Sequence, residues 1–219
     1  MDQNHTISLH VSYEQEFMPD LMVFEITLQE KGKELKFIKK KNNDHYLDLL
    51  QRLSSFGINK KDIIIKDFQS NFVKAKNMKI SDEYSTRLEL ELKLQFKISC
   101  FYKIVHLLKS LKNIQFKVEF DLLNKDDATN HLLEQLSKKA FIEAEILVKH
   151  AGGKLGKINS IQYDMPHQYL FNKISEFSDF DDILEEDTLV GDLEEIAVSV
   201  KPLLLRCEAT YVWNLNSYE

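Results

Sequence analysis

One run of residues limits the fold more than any other. Leu88, Leu90, Leu92, Leu94, Phe96 and Ile98 alternate with Glu89, Glu91, Lys93, Gln95 and Lys97. Side chains in a strand point to opposite faces in turn, so this pattern predicts a strand with one apolar face and one wet face. An apolar sheet face needs a second layer to cover it. The rest of the chain supplies more strands and few helices. Ile7, Leu9, Val11 and Tyr13 alternate with polar residues, and Met22, Phe24, Ile26 and Leu28 do so again after a Pro19-Asp20 turn. That pairing of runs across a turn reads as a hairpin. Further strands are expected at Ile63–Val73, Ile114–Leu122, Lys157–Tyr163 and Ile196–Leu215, where Leu203, Leu205, Cys207, Ala209, Tyr211, Trp213 and Leu215 alternate throughout.

Three stretches predict helices. Glu34–Phe56 is apolar at Tyr46, Leu47, Leu50 and Leu53 and stops at Gly57. Phe101–Leu111 is short. Asp127–Ala151 carries a stripe of Leu132, Leu133, Leu136, Ala140, Ala144, Leu147, Val148 and Ala151, recurring every three or four residues. Asp126 or Asp127 can cap its start, and Gly152-Gly153 ends it. The order ββαββαβαββ with strands in succession predicts an α+β fold, a largely antiparallel sheet with long strands and helices packed on it. No linker divides the 219 residues, so a single domain is expected over 1–219. Strands longer than the usual five or six residues call for a bend or for pairing with another subunit.

Charge separates one element from the rest. Glu176–Glu195 holds ten carboxylates and no Lys or Arg. These ten exceed the whole chain's net charge of −6, so the remainder is mildly basic. The stretch reads as an acidic insertion at about 166–195, a solvated surface segment rather than a calcium loop, because the D-x-[DN]-x-[DN]-G spacing is absent. A net negative chain argues against general nucleic-acid binding. The run Lys31, Lys33, Lys36, Lys39, Lys40 and Lys41 reads as a solvated helix face, diluted by Glu30 and Glu34. Cys100 and Cys207 read as two buried thiols. His5, His10, His45, His106, His131, His150 and His167 show no zinc-type spacing. Gly152-Gly153-Lys154-Leu155-Gly156-Lys157 follows a helix, whereas a phosphate loop precedes one. No catalytic, cofactor-binding or metal-binding residue is assigned, and no cofactor is expected. The longest apolar run, Leu21–Phe24, is too short to span a bilayer. Met1–Ser12 holds neither a basic nor an apolar stretch. As written, the chain therefore reads as cytoplasmic, and as periplasmic if an export signal has been removed.

Several stretches together resemble the SIMPL-domain family. They are Pro19-Asp20 with Met22–Leu28, Gly57-Ile58-Asn59 with Asp62-Ile63, and the aromatic-led strand Tyr84–Leu94. Ala140, Ala144 and Ala151 followed by Gly152–Ile158, and the final strand Cys207–Leu215, complete the likeness over about Ile7–Leu215. Where that family's first strand carries glycines, this chain has Val11-Ser12-Tyr13-Glu14. The family includes bacterial periplasmic immunogenic proteins, oxidative-stress defence proteins and an animal kinase-associated signalling protein. The resemblance implies an α+β fold, homo-oligomeric assembly in some members and no catalytic residues. The expectation is a non-enzymatic homo-oligomer that acts by assembly or through a protein partner, in a stress response. Two other readings stay open: a small-ligand binder or enzyme with a pocket between sheet and helices, and a nucleic-acid-binding module.

Overall fold

The computed structural model describes residues 5–73, 83–168, 173–174 and 200–217. The acidic stretch Glu176–Glu195 lies outside the described residues. The elements run β1 (Thr6–Phe17), β2 (Leu21–Gly32), α1 (Leu35–Ser55), β3 (Ile63–Val73), β4 (Glu83–Gln95), α2 (Ile98–Ser110) and β5 (Ile114–Asp121). They continue with α3 (Lys125–His150), β6 (Gly153–Gln168), the short β7 (Lys173–Ile174) and β8 (Leu203–Ser217). All strand pairs are antiparallel, and the class is α+β. β6 has 16 residues and β8 has 15, so the long strands are real.

The strands form two sheets in two compact units. One unit holds β1, β8 and β6 in that order, with α3 against them. β8 buries Leu203, Leu205, Cys207, Ala209, Tyr211 and Trp213 on one face, as its alternation predicts. α3 answers with Ala128, Leu132, Leu136, Ala140, Ala144 and Val148. The small residues on both let helix and sheet approach closely. Asn124 caps α3, its side chain accepting the Asp127 backbone N–H, so the cap lies ahead of Asp126 and Asp127. Gly152 at φ 74 ends the helix. Four residues on, β6 passes so close to β8 that a Cβ on Gly156 would lie 2.6 Å from the Asn214 carbonyl oxygen.

The other unit is a five-stranded sheet, β3-β4-β2-β5-β7, with α1 and α2 on one face. Its core joins Met22, Phe24, Ile26 and Leu28 of β2 to Leu88, Leu90 and Leu92 of β4 and to Tyr46, Leu49 and Leu53 of α1. Phe101, Ile104, Val105 and Leu108 of α2 fill the remainder. Leu47 of α1 is instead exposed. The β4 alternation stops as strand at Gln95, and Ile98 opens α2.

The expected β1–β2 hairpin does not form. β1 pairs with β8, from Thr6 opposite Asn214 to Phe17 opposite Leu203. β2 lies between β4 and β5. Pro19-Asp20 is a junction between sheets, not a hairpin turn. The Asp20 backbone bonds to Asp121 and Phe96, and its carboxylate accepts the Leu123 N–H at 2.6 Å. The chain's entry into the five-stranded unit is thereby tied to its exit.

Candidate functional site

β2 carries its inward alternation one step past Leu28, which places Glu30 on the helix side of the sheet. Only 3% of it is exposed. Lys41 Nζ donates to Oε2 at 2.7 Å, while Asn113 Nδ2 at 2.8 Å and His45 Nδ1 at 2.9 Å reach Oε1. Burial pushes this carboxyl up, but the Lys41 and Asn113 hydrogen bonds and the Lys41 and His45 charges outweigh it, so its pKa lies below the ordinary 4.5. Next to Lys41 on α1, the buried Asn42 donates to the Leu28 carbonyl and to Thr86 Oγ1, leaving its own Oδ1 unpaired. Asn113 sits at φ 61, a left-handed conformation that Asn tolerates better than most residues. An open depression of about 450 Å³ adjoins the cluster, lined by Gln29, Lys31, Lys41, Asn113 and Gln115 among others. Every acceptor direction of Glu30 that these contacts use is taken by a donor. The arrangement suits a clamp joining β2, α1 and the α2–β5 turn better than a free base.

The opposite face of this sheet is charged. Glu25 stands across from Glu91, a like-charge pair, and Glu91 is 8% exposed. Burial raises the Glu91 carboxyl, and Lys66 at 2.9 Å and Lys93 at 3.0 Å overcome that and lower it. Lys66 is the extra residue of a β-bulge, where the β3–β4 register shifts between Ile65 and Asp67. A cavity of about 290 Å³ lies over this face.

The sheet edges differ in how they are defended. Exposed edges invite pairing unless charge, bulges or cover block them. β1 alternates Glu14 and Glu16 outward, and Lys139 of α3 donates to its Ser12 carbonyl at 3.0 Å. β6 is broken by three register shifts against β8. β5 is partly covered by β7 at Val118 and Glu119. β3 has one bulge and then pairs regularly with β4 from Asp67 to Val73. Its Ile64, Ile65, Phe68 and Phe72 are 47–55% exposed, with Phe72 against Tyr84 at 5.2 Å between ring centroids. α1 packs on β2 and β4; on the helix-side face of β3, Ile63 joins the core while Ile65, Phe68 and Phe72 stay exposed, and Ile64 lies on the other face.

The residues singled out from sequence scatter over the molecule. Cys207 is buried as expected, whereas Cys100 is only partly so; both are free, and burial pushes both thiols up. His10 lies beside Thr210 and Glu208, His131 stands edge-on to Phe17, and His150 reaches the Ile146 carbonyl. His5 and His106 are exposed, and the His167 side chain is outside the described residues. His45 joins the buried Glu30 cluster. Of the lysine run, Lys41 turns inward to Glu30, and Lys36, Lys39 and Lys40 are exposed on α1; Lys31 and Lys33 are exposed too, but Lys31 lies in β2 and Lys33 precedes α1, so the run is not one helix face. Gly153–Leu155 is paired with β8 as strand. Among the described residues no group of three or more His, Cys, Asp or Glu is placed to hold a metal ion, and no helix is long and apolar enough to cross a membrane. The Glu30 clamp was missed from sequence, although two signals marked it: an acid at the end of an inward alternation, and Asn42 within the apolar stripe of α1.

A family model, SIMPL, described as a protein of unknown function (DUF541), matches residues 7–184. β8 falls beyond the matched span. No curated protein matches the chain.

Proposed function

Because the chain belongs to the SIMPL family, we propose that it acts without catalysis, as a homo-oligomer whose sheet edges bind further copies or a protein partner. The observation that carries this reading is the β3 edge, regular from Asp67 to Val73, with half-exposed Ile and Phe side chains and, among the described residues, little to block pairing along that run. The state of Glu30 supports it from the other side. Glu30, the most buried carboxylate among the described residues, is held by Lys41, His45 and Asn113, which suits holding elements together. A stress-response setting rests on the family resemblance alone. Light scattering after size exclusion, over a range of concentrations, tests assembly. A discrete multiple of 25.7 kDa is expected, and a clean monomer at high concentration overturns the reading.

A further inference from the structure

The geometry points to a specific partner for β3: the same strand of a second copy, antiparallel, about a two-fold axis passing at Ser70. This deepens the assembly reading and rests on it. The regular run of β3 spans Asp67 to Val73, and Ser70 is its midpoint. A two-fold axis normal to the sheet keeps each face on its own side, so residues that meet across it share a face. Centred on Ser70, Phe68 meets Phe72 of the second copy, twice. Gln69 meets Asn71 on the other face, also twice, and Ser70 meets itself. No charge then faces a like charge within the run. Shifting the centre to Gln69 sets Phe68 against Ser70 and Phe72 against Lys66, and shifting it to Asn71 sets Phe72 against Ser70.

The Ser70 register therefore converts exposed aromatics into cross-strand aromatic pairs, a stabilising arrangement in sheets. Tyr84 already lies against Phe72 and would extend each pair inward. Lys66, at the bulge, is drawn to Glu91 on its own sheet and marks where regular pairing stops. The other long edges suit this contact less. Lys139 occupies an edge carbonyl of β1, and the three irregularities of β6 break its register. A strand pair of this length is a small interface, so the dimer should respond to concentration.

Cysteine cross-linking on the full chain reads the register. The background is Cys100→Ser, and Cys207 stays because it is 1% exposed. With diamide as oxidant, Ser70→Cys should give a covalent dimer, because the two copies of residue 70 face each other within disulfide reach. Gln69→Cys should not, because residue 69 faces residue 71. Separately, Phe68→Lys should halve the mass by light scattering while leaving the circular dichroism unchanged. Should Phe68→Lys unfold the chain, the two cysteine variants still decide. An assembly that survives with no Ser70→Cys cross-link overturns the β3 pairing and leaves assembly standing, with another edge as its seat. Equal cross-linking at 69 and 70 overturns the register. A monomer throughout overturns both.

Discussion

Glu30 is a carboxylate that water barely reaches, and its three donors come from α1 and from the turn before β5. Replacing it by Gln leaves Lys41 only a neutral amide oxygen as acceptor. Lys41 is itself half-exposed, so Glu30→Gln should lower stability by about 2 kcal/mol, read by urea unfolding. The pH dependence follows from direction. The pKa values of Glu30 and Glu91 both lie below the ordinary 4.5. Stability from depressed carboxyls is fully present above the unfolded value and is lost as pH falls through the folded one. The urea midpoint should therefore drop as pH falls below 4.5, and Glu30→Gln should flatten that drop. An unchanged slope would mean that Glu30 is not held ionised by its neighbours.

At the scale of elements, a single glycine governs how β6 meets β8. Gly156→Val sets a Cβ against the Asn214 carbonyl, which is backbone and cannot swing away. The expected cost is about 1–3 kcal/mol. Hydrogen exchange should quicken along β6 and β8 and stay unchanged in β2 and β4. The elements themselves were largely legible in the sequence, because periodicity reports burial directly. β3 matches its expected bounds, and the alternation of β8 is the buried face of a sheet. What failed is pairing. A Pro-Asp turn between two alternating runs looks the same whether the strands join each other or part to separate sheets. The β4–α2 boundary failed for another reason. Phe96 and Ile98 continue the period of two, and α2 starts at Ile98 behind Lys97, which gives no side-chain cap, with no acid in its first turn. The Glu30 cluster was hidden because Lys41 and Glu30 read as parts of one solvated charge run, and Asn113 is distant in sequence from both.

At the scale of the whole molecule, the chain leaves the first unit after β1, returns to it with α3 and β6, crosses again for β7 and returns for β8. β1 belongs with α3, β6 and β8, while β2 through β5 build the second sheet between them in sequence. The two should open as separate cooperative groups in native-state hydrogen exchange, with the amides of β1 protected to the same degree as those of β8. A single exchange rate across both sheets would count against this division.

The pairing of β1 with β8 sets an order in time. A ribosome releases Thr6 long before Asn214, the residue opposite it. The five-stranded sheet finds most of its strands within Leu21–Asp121 and can take shape during translation. The three-stranded sheet cannot, because its central strand is made last. Until then β1 is a nascent strand without a neighbour, open to chaperones or to the wrong partner.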